Sequence, residues 1–395
     1  MTTLAQVRNR TDISVIVLAY MLFVMLGMPG AMLGVAWPSM RDTFNLELDT
    51  VWDLLAFSAV GYTMSSFLSG RLVYRLGYTR LLIVSTVLGI VGAAGYIFAP
   101  VWEVVLLAGM VLGLGGGTID AAMNTYFSAN YGPRLMSWLH ACYGVGTVAG
   151  PFVMTTLLNA QALWRWGYVI FALFSAALVV GVVLTARQWR APQLPSGTST
   201  PKAGLSDTLR LPVMWLLIVL ITLVVGLEFS PGQWTFSLFT ESRSMTVDLA
   251  GLMVTLYWGG FMVGRFLFGA LGNNLKPGSA LRGCIAAAAV GAVLVWLDAG
   301  PAVNFVGVIL MGLAQAPIFP LLVTAIPERV GGHHAANAIG FLISAAGVGI
   351  AILPGLVGRL AKNNGLEVIG PLLLVIAVGM FVLHEMLVRY RTPQK

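Results

Sequence analysis

Charge is scarce in this chain. Only 9% of its 395 residues are Asp, Glu, Lys or Arg, whereas soluble domains carry about 25%. With 58% of residues hydrophobic, a water-soluble fold would expose far too much hydrocarbon, so the bilayer has to be the solvent. Cysteine is almost absent too. Cys142 and Cys284 are the two, both within apolar stretches, so a disulfide framework is unsupported and a four-cysteine metal centre is impossible with two. Both read as small packing residues. Four histidines offer no catalytic cluster, and an enzyme is the least favoured class. The adjacent His333 and His334 sit at a loop and make a poor metal site without further ligands. The glycines Gly113, Gly115, Gly116 and Gly117 are followed by no Lys and preceded by no strand, so close helix packing accounts for them better than a phosphate loop. No nucleotide-binding cassette or nucleophile elbow is found, which argues against ATP-driven transport. No cofactor and no metal are expected.

What the chain does have is long apolar runs, from end to end. A helix needs about 20 residues to cross a bilayer. Twelve such spans are predicted, at about 13–37, 50–72, 79–99, 102–129, 135–158, 164–187, 211–239, 250–272, 279–298, 302–325, 334–360 and 366–388. The first apolar stretch, from Ile13 to about Met40, is too long for the core of a cleavable signal peptide. The one sizeable polar segment, Gln188–Leu209, contains Pro192, Pro195, Pro201 and a Ser/Thr/Gly run. It has linker composition. The expected organisation is therefore an all-α integral membrane protein: a six-helix bundle over 1–187, a cytoplasmic linker over 188–210 and a second six-helix bundle over 211–395.

Lys and Arg together number 22 against 15 acidic residues. If the N-terminus is cytoplasmic, 17 of the 22 fall in inside segments and 5 outside. That bias predicts both termini inside, in an inner (plasma) membrane protein. It also removes the case for nucleic acid, because the charge lies along one membrane face rather than in one patch.

The two sets of six spans are related. Phe67–Leu72 matches Phe266–Leu271 at an offset of 199, which Gly61 shares with Gly260 and Leu112-Gly113-Leu114 with Met311-Gly312-Leu313. At an offset of 203, Gly144-Val145-Gly146 through Pro151 matches Gly347-Val348-Gly349 through Pro354. A shared register over three pairs of spans implies a pseudo-two-fold axis along the membrane normal, with a solute site between the halves near the midplane.

Intramembrane acids need a reason, since a charge at a helix centre costs about 2.5–3.5 kcal/mol even on the mildest scales. Asp120 lies well inside span four, and Asn124 shares its helix face at i, i+4, where both could reach a sugar's hydroxyls or a bound cation. Asp120 is assigned as the proton-coupling acid; the plainer reading is a structural partner for a neighbouring group. Glu228 is the second acid, near the middle of span seven, and is read both as a solute-binding and as a coupling group. Pro231 and Gly232 follow it, where the helix can break and free backbone groups. Gln233 and Trp234 add an amide and an aromatic platform of the sort that suits a sugar. Trp234 could equally sit in the outer aromatic belt. His140 lies near the depth of Asp120, and the two could relay a proton; a histidine bonded to a carbonyl is as good a reading. Tyr143, Tyr257, Trp258, Gln315 and Asn337 are further cavity candidates, each of which could be packing material instead. Arg265, late in span eight, is expected to snorkel to the cytoplasmic edge.

The segment Gly70-Arg71-Leu72-Val73-Tyr74-Arg75-Leu76-Gly77-Tyr78-Thr79-Arg80, with two six-span halves and a central linker, resembles the major facilitator superfamily. The superfamily carries a Gly-x-x-x-Asp-Arg-x-Gly-Arg pattern in its loop between spans two and three. The resemblance implies that Gly70, Arg71, Arg75, Gly77 and Arg80 form a conformational loop. Here Tyr74 replaces the Asp and Tyr78 the Arg, which breaks the charge latch. Span four (Gly113 to Asn124), span seven (Gly226-Leu227-Glu228 through Trp234), Ala316–Pro320 and Gly349–Pro354 are similar to the fucose permease-like sugar transporters. Some proton-coupled members carry an acid in span one, where this chain has Gly34. The resemblance implies a secondary carrier of a sugar or similar small solute, coupled to protons or to sodium, working as a monomer in the bilayer. A proton-driven exporter of drugs or metabolites, or a lipid-handling or sensor protein on the same scaffold, are the alternatives.

Overall fold

The computed structural model describes residues 13–131, 133–189, 204–271 and 277–390. Among these, every regular element is helical. In chain order they are α1 (Ile13–Phe44), α2 (Val51–Phe98), α3 (Trp102–Asn130), α4 (Pro133–Asn159), α5 (Arg165–Leu184), α6 (Leu205–Leu209), α7 (Pro212–Ser237), α8 (Val247–Leu271), α9 (Pro277–Leu297), α10 (Pro301–Gln315), α11 (Ile318–Thr324), α12 (Ile326–Val330), α13 (Gly332–Asn364) and α14 (Ile369–Arg389). Among the described residues, eleven helices are long and apolar enough to cross a membrane.

The sequence predicts twelve spans, and the difference lies in α2. That helix covers both 50–72 and 79–99, with a non-helical residue at Gly77, whose φ is +73°. A straight helix would put Gly61 and Gly92 about 46 Å apart, at 1.5 Å per residue. Yet a Cβ on Gly61 would meet the carbonyl of Met110, and one on Gly92 would lie 2.8 Å from that of Ala108. Both therefore abut one short stretch of α3. The chain folds back at Gly77, a position whose left-handed φ favours glycine, and the two arms of α2 lie side by side on α3. The glycine-rich face of α3 makes this possible. Gly113 presses on the Ser58 carbonyl of the first arm, while a Cβ on Gly115 would sit 2.5 Å from the Ser85 carbonyl of the second. Small residues let helices approach to backbone contact in lipid, where hydrophobic burial gives no drive.

The expected loop residues sit around that turn. Gly70, Arg71 and Arg75 are on the first arm and Arg80 on the second, with the three arginines exposed. Among the described residues they make no ion pair. Tyr78 is a core residue, edge-on to Tyr126 at 4.8 Å between ring centroids.

Helices α1 to α5 pack mainly among themselves, as do α7 to α14, and the main contacts joining the two groups are α4 on α8, α2 on α13 and α1 on α7. Most of the linker, residues 190–203, lies outside the described residues. Its end is α6, which docks on α13 through Thr208. The Thr208 hydroxyl pairs with His334 Nδ1 at 2.9 Å and accepts from Asn337 Nδ2 at 3.3 Å. His333 and His334 thus belong to the first turn of α13 rather than to a loop. Asn337 thus bonds at this junction. Cys142 and Cys284 are both free.

Candidate functional site

Between the two groups lies a cavity of about 350 Å³, within the range of about 300–1,000 Å³ usual for small-ligand sites. On one side α1 contributes Phe23, Leu26 and Leu33, the first arm of α2 contributes Ser58 and Tyr62, and α3 contributes Asp120. His140 and Tyr143 enter from α4. From the other group come Glu228, Phe229 and Gln233 of α7, Trp258 and Arg265 of α8, and Phe319 of α11. Asp120, His140, Tyr143, Glu228, Gln233 and Trp258 are therefore brought together.

Helix phase explains which residues face the cavity. On α3 the lining residues Leu112, Gly113, Gly116, Ile119 and Asp120 follow the i, i+3, i+4 rhythm of one face. On α7 the set Val225, Glu228, Phe229 and Gly232 does the same.

Asp120 is fully engaged. It accepts a hydrogen bond from the Tyr62 hydroxyl on one oxygen, and Asn124 Nδ2 donates to the other at 2.9 Å. Asn124 also bonds the Asp120 backbone carbonyl at 2.9 Å. The amide expected to reach a solute instead holds the carboxylate in place. No hydrogen bond joins Asp120 to His140 among the described residues. The His140 ring stands edge-on to Phe23, with centroids 5.6 Å apart.

Glu228 differs. Its residue is buried, yet among the described residues its carboxyl has no hydrogen bond and no ion pair. Tyr257 does not line the cavity; its hydroxyl donates to the Glu228 backbone carbonyl at 2.5 Å. Helix α7 runs on through Pro231 to Ser237, and its irregular turn comes only at Leu238–Ser242. The break expected at Pro231–Gly232 is absent because Gly232 is clamped between Gly34 of α1 and the Trp258 ring. Trp234, one residue beyond the lining Gln233, points about 100° away around the helix. It is fully buried, and its indole N–H donates to the Pro354 carbonyl at 2.8 Å. It fastens α7 to α13 and belongs neither to the cavity nor to an outer aromatic belt. Gln315 is likewise buried and outside the lining.

Tyr62 and Arg265 are among the residues that enter the site unpredicted. Tyr62, the hydrogen-bond partner of Asp120, is a polar ring in an apolar span; the rule that selects Tyr143 applies to it equally. Arg265 is expected at the membrane edge, but its guanidinium carbon lies 4.7 Å from the centroid of Phe261, one turn back towards the start of α8. Helical side chains lean towards the N-terminus, and this one follows that lean into the cavity instead of snorkelling outward.

At one end of the molecule, ion pairs join the two groups. Arg41, at the end of α1, bonds Glu241 after α7 at 2.8 Å. Lys362, at the end of α13, pairs with Asp49 at 3.2 Å and with Glu47. The cavity is sealed at this end by charge and by helix contact.

A largely apolar cavity between two membrane-embedded helix groups, lined by two acids and an arginine and closed at one end by ion pairs between the groups, defines a solute carrier. The chain belongs to the Major Facilitator Superfamily: the family model matches residues 19–354, with a further match over 233–395. It is a multi-pass membrane transporter of that superfamily, not an enzyme. Among its relatives is the "Glucose/mannose transporter GlcP" of Bacillus subtilis (strain 168), 21% identical over 348 residues, which span 86% of each chain. Its fold is that of a mutant of the nucleoside transporter NupG, at a TM-score of 0.77 and 13% identity, covering 96% of this chain and 99% of that one. The D-xylose-proton symporter superposes at 0.70 with 14% identity, covering 94% and 98%.

Proposed function

We propose that this chain takes up a small polyhydroxylated solute of sugar size by proton-coupled symport, alternating between states open to either side. The observation that carries this reading is the placement of Asp120 and Glu228 on opposite walls of one cavity, on α3 and α7 respectively. A solute between them touches both groups of helices, so its binding energy bears on their relative position, and a proton on either acid changes the charge of the same space. The naming of GlcP for glucose and mannose, and of a structural neighbour as a xylose-proton symporter, supports the substrate class and the ion. Sodium is the second candidate ion. The basic-residue bias puts both termini on the cytoplasmic side of the plasma membrane, and the end bearing Arg41 and Lys362 outside. A single chain encloses the site, and the carrier works as a monomer.

Counterflow of labelled hexoses, pentoses, their acids and nucleosides in proteoliposomes, with and without imposed proton or sodium gradients, tests this. A proton gradient is expected to drive accumulation of one of these solutes. In Asp120→Asn, which keeps the geometry around Tyr62 and removes the charge, accumulation is expected to fall at least about tenfold while counterflow survives. Undiminished accumulation in that variant would remove Asp120 from the coupling step.

A further inference from the structure

The hydrogen-bonding groups of the cavity are unevenly matched. Asp120 spends both oxygens on Tyr62 and Asn124. The buried lining atoms left without a partner are Gln233 Nε2, Trp258 Nε1, Arg265 Nε and Tyr168 Oη. An amide nitrogen, an indole N–H and a guanidinium can only donate. Arg265 is the decisive one. Its charge cannot be shed by deprotonation, and among the described residues no carboxylate lies within ion-pair distance of it. A cation in a largely apolar cavity whose donors reach no carboxylate directly is costly. The only unengaged acid of the cavity, Glu228, is near enough to feel the Arg265 charge but forms no pair with it.

We propose, resting on the transport reading above, that the solute is a sugar acid whose carboxylate binds Arg265. The guanidinium matches a carboxylate with two parallel N–H donors, and Gln233 and Trp258 supply further donors to the carboxylate or the hydroxyls. Phe229 gives the sugar ring an apolar wall. Charge balance then links solute to proton. Without solute, Glu228 carries the negative charge that offsets Arg265. With the carboxylate on Arg265, a proton on Glu228 restores the same total charge. The other titratable groups facing the space are Asp120 and Tyr62, bonded to each other, Tyr96 on the second arm of α2, His140 and Tyr143 on α4, and Tyr168 on α5. One carboxylate is carried with at least one proton.

Binding of glucose, glucuronate and gluconate to the purified full-length protein in detergent, followed by calorimetry, tests the assignment independently of coupling. At least one acid is expected to bind at least about tenfold more tightly than glucose. Arg265→Gln is expected to lower affinity for that acid about 10- to 100-fold and to lower that for glucose far less. Arg265→Lys, which keeps the charge but not the paired donors, is expected to lose less. Each variant is first checked for wild-type elution on size exclusion. If Arg265→Gln does not fold, the graded loss in Arg265→Lys carries the test. Acid binding unaltered by either variant, or glucose bound as tightly as both acids, would overturn the assignment. Where glucose is then exchanged in counterflow, the sugar-carrier reading survives it. If none of the three binds, the sugar-acid assignment falls, and counterflow of pentoses and nucleosides decides the carrier reading.

Discussion

Gly34→Val is expected to hold the sealed end of the carrier open and to slow transport in proportion. Gly34 of α1 faces the backbone of α7. A Cβ there would overlap the Gly232 carbonyl oxygen and lie 3.0 Å from Gln233 Cα. Both neighbours are backbone, so no side chain can swing aside, and overpacking of this kind costs about 1–3 kcal/mol. The cost falls only on the state in which α1 and α7 touch, so the balance between the two states moves by about 5- to 150-fold. Spin labels on Asp42→Cys and Ser244→Cys, both exposed near the Arg41 end, would report the shift as a longer distance. An unchanged distance distribution would show that the contact is not what closes that end. Gly30, one turn earlier, has nothing within 4 Å of a Cβ, and Gly30→Ala is expected to leave the distance as it is. The same contact explains why span one has no acid at this position. A carboxylate side chain has no room at residue 34.

The second large effect is on stability. Arg243 follows α7, and its side chain is only 5% exposed. Its nitrogens bond Glu367 at 2.7 and 3.0 Å, Asp298 at 3.1 Å, Asn304 at 3.2 Å and the Val295 carbonyl at 2.9 Å. One residue thus ties the end of α7 to the α9–α10 connection and to the turn between α13 and α14. Removing one partner of a buried pair costs about 3–5 kcal/mol. Because Asp298 and Glu367 are half-exposed and regain water, Arg243→Ala is expected to cost about 2–4 kcal/mol. Thermal unfolding in detergent measures it as a Tm lowered by several degrees. Arg243→Lys is expected to recover less than half, since an ammonium cannot match the forked geometry. A Tm within a degree of wild type would show that the network adds little.

Much of the fold is legible from hydropathy because a bilayer imposes one length on every crossing. In α2 the two predicted spans stand as two arms, joined at Gly77 by a turn much tighter than the loop the sequence predicts. The site is less legible, because several of these helices are apolar on all sides. Hydropathy then marks which residues lie in the membrane but not which way each helix faces. Asp120 and Glu228 stand out by charge alone. Trp234 stands out equally by its neighbours, and is turned away by a single residue of helix phase. Arg265 depends on side-chain direction rather than on position, which is why its depth in α8 is a poor guide. Asn124 and Tyr62 show the same limit from another side. Spacing puts a polar group on the face of Asp120, but only the packed helices decide whether it meets solute or carboxylate.

The pairs Arg41–Glu241 and Lys362–Glu47/Asp49 each take partners from both helix groups, and all five side chains reach water to some degree. Their attraction is therefore screened by dissolved salt, over about 8 Å at physiological ionic strength and about 3 Å at 1 M. Ions in the compartment bathing that face loosen the clasp directly, whereas ions on the opposite side do not reach it. The protein consequently has a sidedness to its ionic-strength response: concentrated electrolyte at one surface hastens release from the sealed state, and dilution there prolongs it.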